Sequence, residues 1–256
     1  MSPNVALLKT EDGDIPLTIR ISARARHIGL RVDPRIGGAE LVLPKGVSTK
    51  QGLNFAKSKS DWLLDHLAAI PEPVPFVDGA EIPILGERLR IHHIMTQCEL
   101  FGPEQPREKH GPVWQEEGIL YVSGDAPHVP RRVRDWLKTR ARREMTERAM
   151  RAAQKLDVVV KGITLRDTRS RWGSCSSAGT LSFSWRLILA PENVLEYVVV
   201  HEVAHRAEMN HSPDFWELVK QLIDDIETPK DWLRLHGTSL HRYGDGQAQV
   251  LLPDVA

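Results

Sequence analysis

The sequence predicts an α+β protein, with a β-rich N-terminal half followed by a C-terminal half of strands and helices. Residues 15–44 alternate polar and apolar side chains in short runs separated by turn-forming residues, which is typical of a β-meander. Residues 130–156 instead carry apolar side chains at helical spacing, which predicts a long helix. Residues 158–226 then show the patterns of a strand, a strand hairpin and two helices, in that order.

The elements of the N-terminal half follow from their turn and cap residues. Ser48 and Gln51 have the spacing of a capping box, so one helix is predicted from Ser48 to the Pro-rich stretch after residue 70. A hairpin is predicted around Gly86, and the polar residues 102–112 are predicted to form a loop or flexible insertion. No internal repeat is visible in the sequence.

These elements suggest two domains. The first, residues 1–105, is predicted to be a β-rich subdomain with one helix. The second, residues 118–256, is predicted to include the long helix 130–156 and to hold the functional residues. A core drawn from 41% hydrophobic residues is large enough for either arrangement.

The composition excludes several classes of partner. The chain has 34 basic and 34 acidic side chains, so no net field favours an extended nucleic-acid surface or an anionic membrane. The two cysteines, Cys98 and Cys175, are too few for a disulfide framework and suit a reducing compartment. No export signal and no membrane-spanning apolar run is visible in the sequence, so a cytoplasmic location is expected.

A metal site is predicted in residues 191–210, which have the pattern of a buried helix. His201 and His205 are four residues apart, so both imidazoles project from one face and suit a single tetrahedral Zn²⁺ ion. Glu202 completes the HExxH pattern, in which the glutamate takes a proton from the attacking water. The alternative is a hydrogen-bonded pair of core histidines, but an apolar helix offers few partners for three ionisable groups.

A catalytic zinc ion needs a third protein ligand, and His211 is the predicted one. His211 is six residues after His205, and on a straight helix six steps of about 100° would turn its side chain away from the HExxH histidines. The helix must therefore end before His211 if this residue is to bind the same ion. Asn210 is expected to close it in a left-handed conformation, and Ser212 with Pro213 suits the start of a new helix. Glu208 is the competing ligand, and the alternative for His211 is an exposed turn residue.

The strand-like segment before the metal helix is the second candidate for function. Gly173 is small enough to permit close backbone approach, and Arg171 is predicted to face negative charge that develops on a substrate. An edge strand here would let an extended substrate pair with its free backbone groups. The alternative is ordinary strand packing, with Arg171 bound to a carboxylate. Cys175 is predicted to be a small buried residue rather than a nucleophile.

The segments RWGSCSSAGTLSFSWRLILAP and HEVAHRAEMNHSPDFW resemble the YgjP-like metal-dependent hydrolase family, related to the SprT and WLM metallopeptidases. The upstream segments RARHIGLRV, LVLPKGVS, DWLLDHL and ILGERLRI resemble the β-rich half of the same family. The resemblance implies a zincin-like C-terminal domain with an active-site HExxH helix and an adjacent edge strand. It also implies zinc bound by His201, His205 and His211, with Glu202 as the catalytic residue.

The resemblance leaves the substrate open. A metallopeptidase acting on peptides or unfolded proteins is the favoured hypothesis. The alternative is a UTP pyrophosphatase, since one family member is described as such, and phosphates would need cationic partners such as Arg24, Arg26, Arg31, Arg166, Arg169 and Arg171. A DNA-associated protease or a zinc-stabilised binding module is a third possibility, for which the arginine-rich helix between Arg131 and Arg151 offers local contacts. Ordinary i,i+4 ion pairs are the favoured interpretation of that helix.

Overall fold

The computed structural model describes residues 4–10, 13–33, 36–68, 72–95, 111–168 and 171–244 of the 256-residue chain. The chain divides into two compact units, one of which ends at Pro73 while the other spans Val74–Gly244. Of the predicted loop 102–112, residues 102–110 lie outside the described part of the chain. The mixed α+β class is confirmed by the order of helices and strands.

The first unit is built on a four-stranded sheet with the order β1-β2-β4-β3. Its outer pairs are antiparallel and its central pair, β2 with β4, is parallel. Apolar residues of β2 and β4 point to one buried face, where Leu17, Leu41 and Leu43 are fully enclosed. The strands are β1 (Asn4–Thr10), β2 (Gly13–Ser22), β3 (Gly29–Asp33) and β4 (Gly38–Pro44).

Two short helices cover this sheet where one was predicted. They are α1 (Thr49–Lys57) and α2 (Ser60–Ala68), and the helical path breaks at Ser58, whose hydroxyl donates to the Phe55 carbonyl. The predicted capping box is present, because the Ser48 side chain accepts from the Gln51 N–H and the Gln51 side chain accepts from the Ser48 N–H. Gly52 brings α1 onto the sheet, since a Cβ there would lie 2.5 Å from a methyl carbon of Leu43.

The second unit begins with another four-stranded sheet, with the order β5-β6-β8-β7. The predicted hairpin is confirmed: β5 and β6 are joined through Leu85 and Gly86, whose φ angles are 51° and 93°. Two consecutive positive φ values are typical of the tight turns that match strand twist. The strands are β5 (Glu81–Ile84), β6 (Glu87–Ile94), β7 (Val113–Glu116) and β8 (Ile119–Ser123).

The two sheets share one topology that the sequence does not reveal. Each consists of two antiparallel hairpins joined through a central parallel pair, β2 with β4 in the first unit and β6 with β8 in the second. In each unit a helical segment follows the last strand of the sheet. The structure therefore contains a repeated arrangement of strands, although no repeat is visible in the sequence.

The long helix α3 (Val129–Lys155) lies where it was predicted and forms one wall of the second core. Val133, Leu137 and Met145 are fully buried along it. Several of its charged residues form i,i+4 ion pairs, as predicted, including Arg131 with Asp135 and Arg140 with Glu144.

A three-stranded sheet with the order β10-β11-β9 and three further helices complete the second unit. Strand β9 runs parallel to β11, and β10 runs antiparallel to β11. Among the described residues, β10 is an edge strand of this sheet. A 3-10 segment, Trp185–Leu189, is wholly buried and leads directly into α4. These elements are β9 (Gly162–Arg166), β10 (Gly173–Cys175), β11 (Thr180–Ser184), α4 (Glu192–Ala204), α5 (Pro213–Lys220) and α6 (Glu227–His236).

The compact units divide the chain at a different point from the predicted domains. The limits 1–105 and 118–256 stay a prediction, whereas the contacts of the structure group residues 74–244 together. The reason is the parallel pairing of β6 with β8, which joins residues on both sides of the predicted boundary. In the described ranges, no helix has the length and apolar character needed to cross a membrane.

Candidate metal centre

Helix α4 carries His201 and Glu202, and His205 caps its C-terminal end. The helix follows Pro191 and buries most of its side chains, as the apolar run predicted. It ends earlier than predicted and without the expected left-handed Asn210, whose φ is not positive. Instead the chain turns after Ala204, whose carbonyl accepts from the Ala207 and Glu208 N–H groups.

Three imidazoles converge at this helix end. His201, His205 and His211 each offer a ring nitrogen, and these three atoms all lie within 4.8 Å of one another. The Nε2 atoms of His201 and His211 are 3.0 Å apart, close to the roughly 3.3 Å expected between two nitrogens on one tetrahedral zinc ion. The donor set thus fits a single ion of the kind that imidazole prefers.

The backbone orients one of these rings. His205 Nδ1 lies 3.0 Å from the Glu208 carbonyl oxygen, which suits an Nδ1–H donor and leaves Nε2 with a free lone pair. His201 Nδ1 is buried and has no hydrogen-bond partner within the described ranges. The Glu208 carboxylate accepts from the Asn210 N–H at 3.1 Å. Glu208 therefore stabilises the turn, whereas the ring nitrogens that converge belong to His201, His205 and His211.

The site keeps at least two of these imidazoles neutral. Burial, followed by the nearby His205 and His211, lowers the pKa of His201 to about 4. Burial also lowers the pKa of His205. Neutral imidazole is the form that binds a metal ion, so these two rings are in the ligating form at neutral pH without a change of protonation.

Helix α5 forms a wall behind the imidazoles. Ser212 caps it, as predicted, with its hydroxyl accepting from the Phe215 N–H and Pro213 in the first turn. The Phe215 ring centroid lies 4.9 Å from His201, 4.5 Å from His205 and 4.9 Å from His211. Phe215 is fully buried, so its contacts limit the movement of all three rings. Because Ser212 caps the start of α5, the chain changes direction directly after His211, and the His211 ring lies next to the other two histidines.

Glu202 lies beside the histidines and against the backbone of strand β10. It is 7% exposed, and burial raises its pKa to about 7, although the charge of Arg171 acts in the opposite direction. A Cβ atom on Gly173 would lie 2.5 Å from Glu202 Oε1. Only a glycine leaves space for this carboxyl group, so the close approach predicted at Gly173 is made to Glu202 itself.

The other residues predicted near the site, Arg171 and Cys175, are less buried than Glu202. Arg171 is exposed, its carbonyl accepts from the Thr168 hydroxyl, and its charge acts on Glu202. Cys175 is partly buried with a raised pKa, mainly because of burial, which agrees with an unreactive thiol.

The arginines predicted to serve phosphates belong to two different compact units. Arg24, Arg26 and Arg31 belong to the first compact unit. Arg166 is at the end of β9, and Arg169 lies outside the described residues.

Two aromatic contacts, one at the site and one next to strand β10, were missed from the sequence. One is the aromatic wall of Phe215 and Trp216, although its position directly after a helix cap was a usable signal. The other is His241, which stacks on Trp172 at a centroid distance of 5.5 Å just before β10. No signal in the sequence joins His241 to Trp172, because they are distant along the chain and meet through the fold.

A known protein family and several solved structures are similar to this chain. A family model described as a YgjP-like metallopeptidase domain matches residues 26–236. No curated protein matches the chain. Two solved metallopeptidase zymogens are similar over part of the chain. Abylysin of Pyrococcus abyssi has 19% identity and a TM-score of 0.33, and the match covers 36% of this chain and 92% of abylysin. Jannalysin of Methanocaldococcus jannaschii has 17% identity and a TM-score of 0.32, and the match covers 37% of this chain and 88% of jannalysin.

The family match includes every residue of the candidate metal centre, and it supports a metal-dependent hydrolase. Because the match extends over most of the sequence, the chain belongs to the YgjP-like metallopeptidase domain family.

Proposed function

We propose that this chain is a zinc metallopeptidase of the zincin type, in which His201, His205 and His211 hold the ion and Glu202 is the general base. The observation that carries the proposal is the convergence of three imidazole nitrogens within 4.8 Å, next to a buried carboxyl group. A structural zinc site normally has four protein ligands. Three ligands beside a carboxyl group instead suit catalysis.

The protein residues have distinct tasks in this proposal. An ion held by the histidines would supply Lewis-acid chemistry, which polarises a substrate carbonyl and makes water more acidic. The Glu202 carboxylate accepts the proton of the attacking water and passes it to the departing amide nitrogen. Gly173 backs the carboxyl group and restricts its position. Phe215 fixes the ring planes of the histidines and helps to exclude water from behind the site.

Strand β10 is the proposed support for the substrate. It lies at the sheet edge next to Glu202, so an extended peptide is able to pair with its outward backbone groups. Arg171, two residues before the start of the strand, is proposed to face negative charge that develops on the peptide carbonyl. An unfolded protein segment is the substrate that this arrangement suits, because only an extended backbone matches an edge strand.

Zinc retention tests the metal centre without any knowledge of the substrate. After purification, zinc loading and dialysis, the wild type is expected to hold about one zinc ion per chain, as three histidine ligands suit a single ion. His205→Ala is expected to lose most of it, because a ligand is removed. His236→Ala is a matched control, since His236 contacts Trp232 rather than the candidate ligands. Equal zinc content in all three proteins would contradict the assignment.

The nucleotide alternative predicts a different product. Pyrophosphate release from UTP by the zinc-loaded wild type, absent from zinc-loaded Glu202→Gln, would replace the peptidase proposal with nucleotide hydrolysis. No release by a metal-loaded wild type leaves peptide hydrolysis as the activity to measure. A cytoplasmic location and local contacts with nucleic acid stay predictions.

A further inference from the structure

A second candidate site lies where α3 meets β9. A cavity of about 330 Å³ opens there, lined by Lys138, Arg142, Leu165, Arg166, Asp167 and Trp185, together with Thr139. We call it the basic pocket. Its volume is at the lower end of the range for small-molecule sites, roughly 300–1,000 Å³. The three histidines and Glu202 are not among its lining residues, so it is separate from the metal centre.

The pocket concentrates positive charge that the protein does not neutralise. Lys138 and Arg142 are four residues apart on α3 and so project from one face of the helix, an arrangement of like charges that destabilises a helix. Arg166, at the end of β9, brings a third positive charge to the same cavity. Within the described ranges, no carboxylate forms an ion pair with any of the three.

The acidic residue of the pocket is occupied by another partner. Asp167 forms a two-point ion pair with Arg186, with Nε–Oδ1 at 2.6 Å and Nη2–Oδ2 at 3.2 Å. Arg186 is buried and also donates to the Leu240 and Tyr243 carbonyls, so its position is fixed. The charge of Asp167 is therefore balanced by Arg186, and the three cations of the pocket keep their excess charge.

Part of the pocket is already oriented for a ligand. Arg142 Nη1 donates to the Ile163 carbonyl at 3.0 Å, which fixes the guanidinium and leaves its other N–H groups to bind a ligand. Leu165 and Trp185 form apolar walls beside the exposed side chains of the three cations. An oriented donor, two further cations and apolar walls are the parts of an oxyanion site.

We propose that the basic pocket binds the phosphate group of a small ligand. Phosphate fits better than carboxylate, because a phosphate monoester carries about 1.5 to 2 negative charges at neutral pH and three acceptor oxygens, and so matches three cations. The size of the cavity limits the ligand to a small molecule rather than a folded partner. The site does not depend on the proposed peptidase activity.

Calorimetric titration of the full-length, zinc-loaded protein with inorganic phosphate and then with pyrophosphate tests the proposal. We expect saturable binding, weakened at least about tenfold, or ~1.4 kcal/mol, by Lys138→Gln and by Arg166→Gln. Lys155→Gln is the matched control, because it removes the same charge from an exposed position on the same helix. It is expected to bind phosphate as the wild type does.

A second comparison separates the pocket from the metal centre, which also attracts phosphate when it holds an ion. His205→Ala is expected to keep the pocket binding. The proposal is overturned if neither anion binds saturably, if His205→Ala abolishes the binding, or if Lys155→Gln weakens it as much as Lys138→Gln does. Titration with a 5′-mononucleotide and with a short single-stranded oligonucleotide identifies the source of the phosphate. Binding of the oligonucleotide alone would also overturn the small-ligand assignment.

Discussion

The contact between Gly173 and Glu202 allows the carboxyl group of Glu202 to be displaced without any change to its chemistry. A Cβ atom at residue 173 would lie 2.5 Å from Oε1, 2.6 Å from Cγ and 2.8 Å from Cδ of Glu202. Ordinary van der Waals contact begins at 3.4 Å. In Gly173→Ala, the carboxyl group must therefore move by about 0.9 Å, or the strand must move by a similar distance.

A displacement of this size is expected to reduce the reaction rate strongly. Misplacing a reacting group by about 1 Å costs on the order of 100-fold, equivalent to ~2.7 kcal/mol of transition-state stabilisation. Zinc content should not change, because the three atoms nearest the added Cβ all belong to Glu202. Gly173→Ala is thus expected to keep its zinc and to lose about 99% of its kcat/KM.

Cleavage of a fluorescently labelled unfolded protein, such as reduced casein, by zinc-loaded samples measures the effect. Gly162→Ala is the matched control, because Gly162 belongs to the same sheet and an added Cβ there meets no atom within 4 Å. It should cleave at the wild-type rate. If Gly173→Ala cleaves as fast as Gly162→Ala at equal zinc content, the carboxyl group of Glu202 does not act from the position described.

Three further predictions concern the third ligand, the helix cap and the buried ion pair. His211→Ala should weaken zinc retention far more than Glu208→Ala in a metal-content assay, and the reverse ranking would reassign the ligand. Ser212→Ala should lower the free energy of unfolding by about 1 kcal/mol, measured by urea denaturation, because the Phe215 N–H loses its cap; no change would show that the cap is dispensable. Burial raises the pKa of Glu144, but Arg148 and Arg140 outweigh it and hold that pKa below the ordinary 4.5. Glu144→Gln should therefore destabilise the protein by about 1 to 3 kcal/mol at pH 7. The difference from wild type should shrink as the pH falls below the ordinary 4.5, because the unfolded wild type takes up a proton there, and it should be lost once the pH passes the lower pKa of the folded state. A pH-independent difference would contradict that ion pair.

The sequence predicted the elements whose signals are local. Helix α3 follows from apolar spacing over more than twenty residues, and the capping residues Ser48 and Ser212 have short-range partners. The spacing of His201 and His205 brings two imidazoles together within a single turn, so the centre of the candidate site was also visible.

What the sequence did not show depends on contacts between distant segments. The repeated sheet topology rests on parallel pairs that join strands through long connections, and such pairing leaves no local pattern. The early end of α4 rests on backbone bonds to Ala204, not on a left-handed Asn210. The basic pocket forms where a helix and a strand meet. Arg166 was predicted as a candidate phosphate partner, but nothing in the sequence joined it to Lys138.

The central claim is that Glu202 performs proton transfer at a metal ion held by three histidines. The most direct measurement is cleavage of labelled unfolded protein by zinc-loaded wild type and by Glu202→Gln at matched zinc content. The proposal predicts cleavage by the wild type and a loss of at least about 100-fold in Glu202→Gln, since general-base catalysis contributes roughly 100- to 10,000-fold. Equal cleavage by the two proteins at equal zinc content would contradict it.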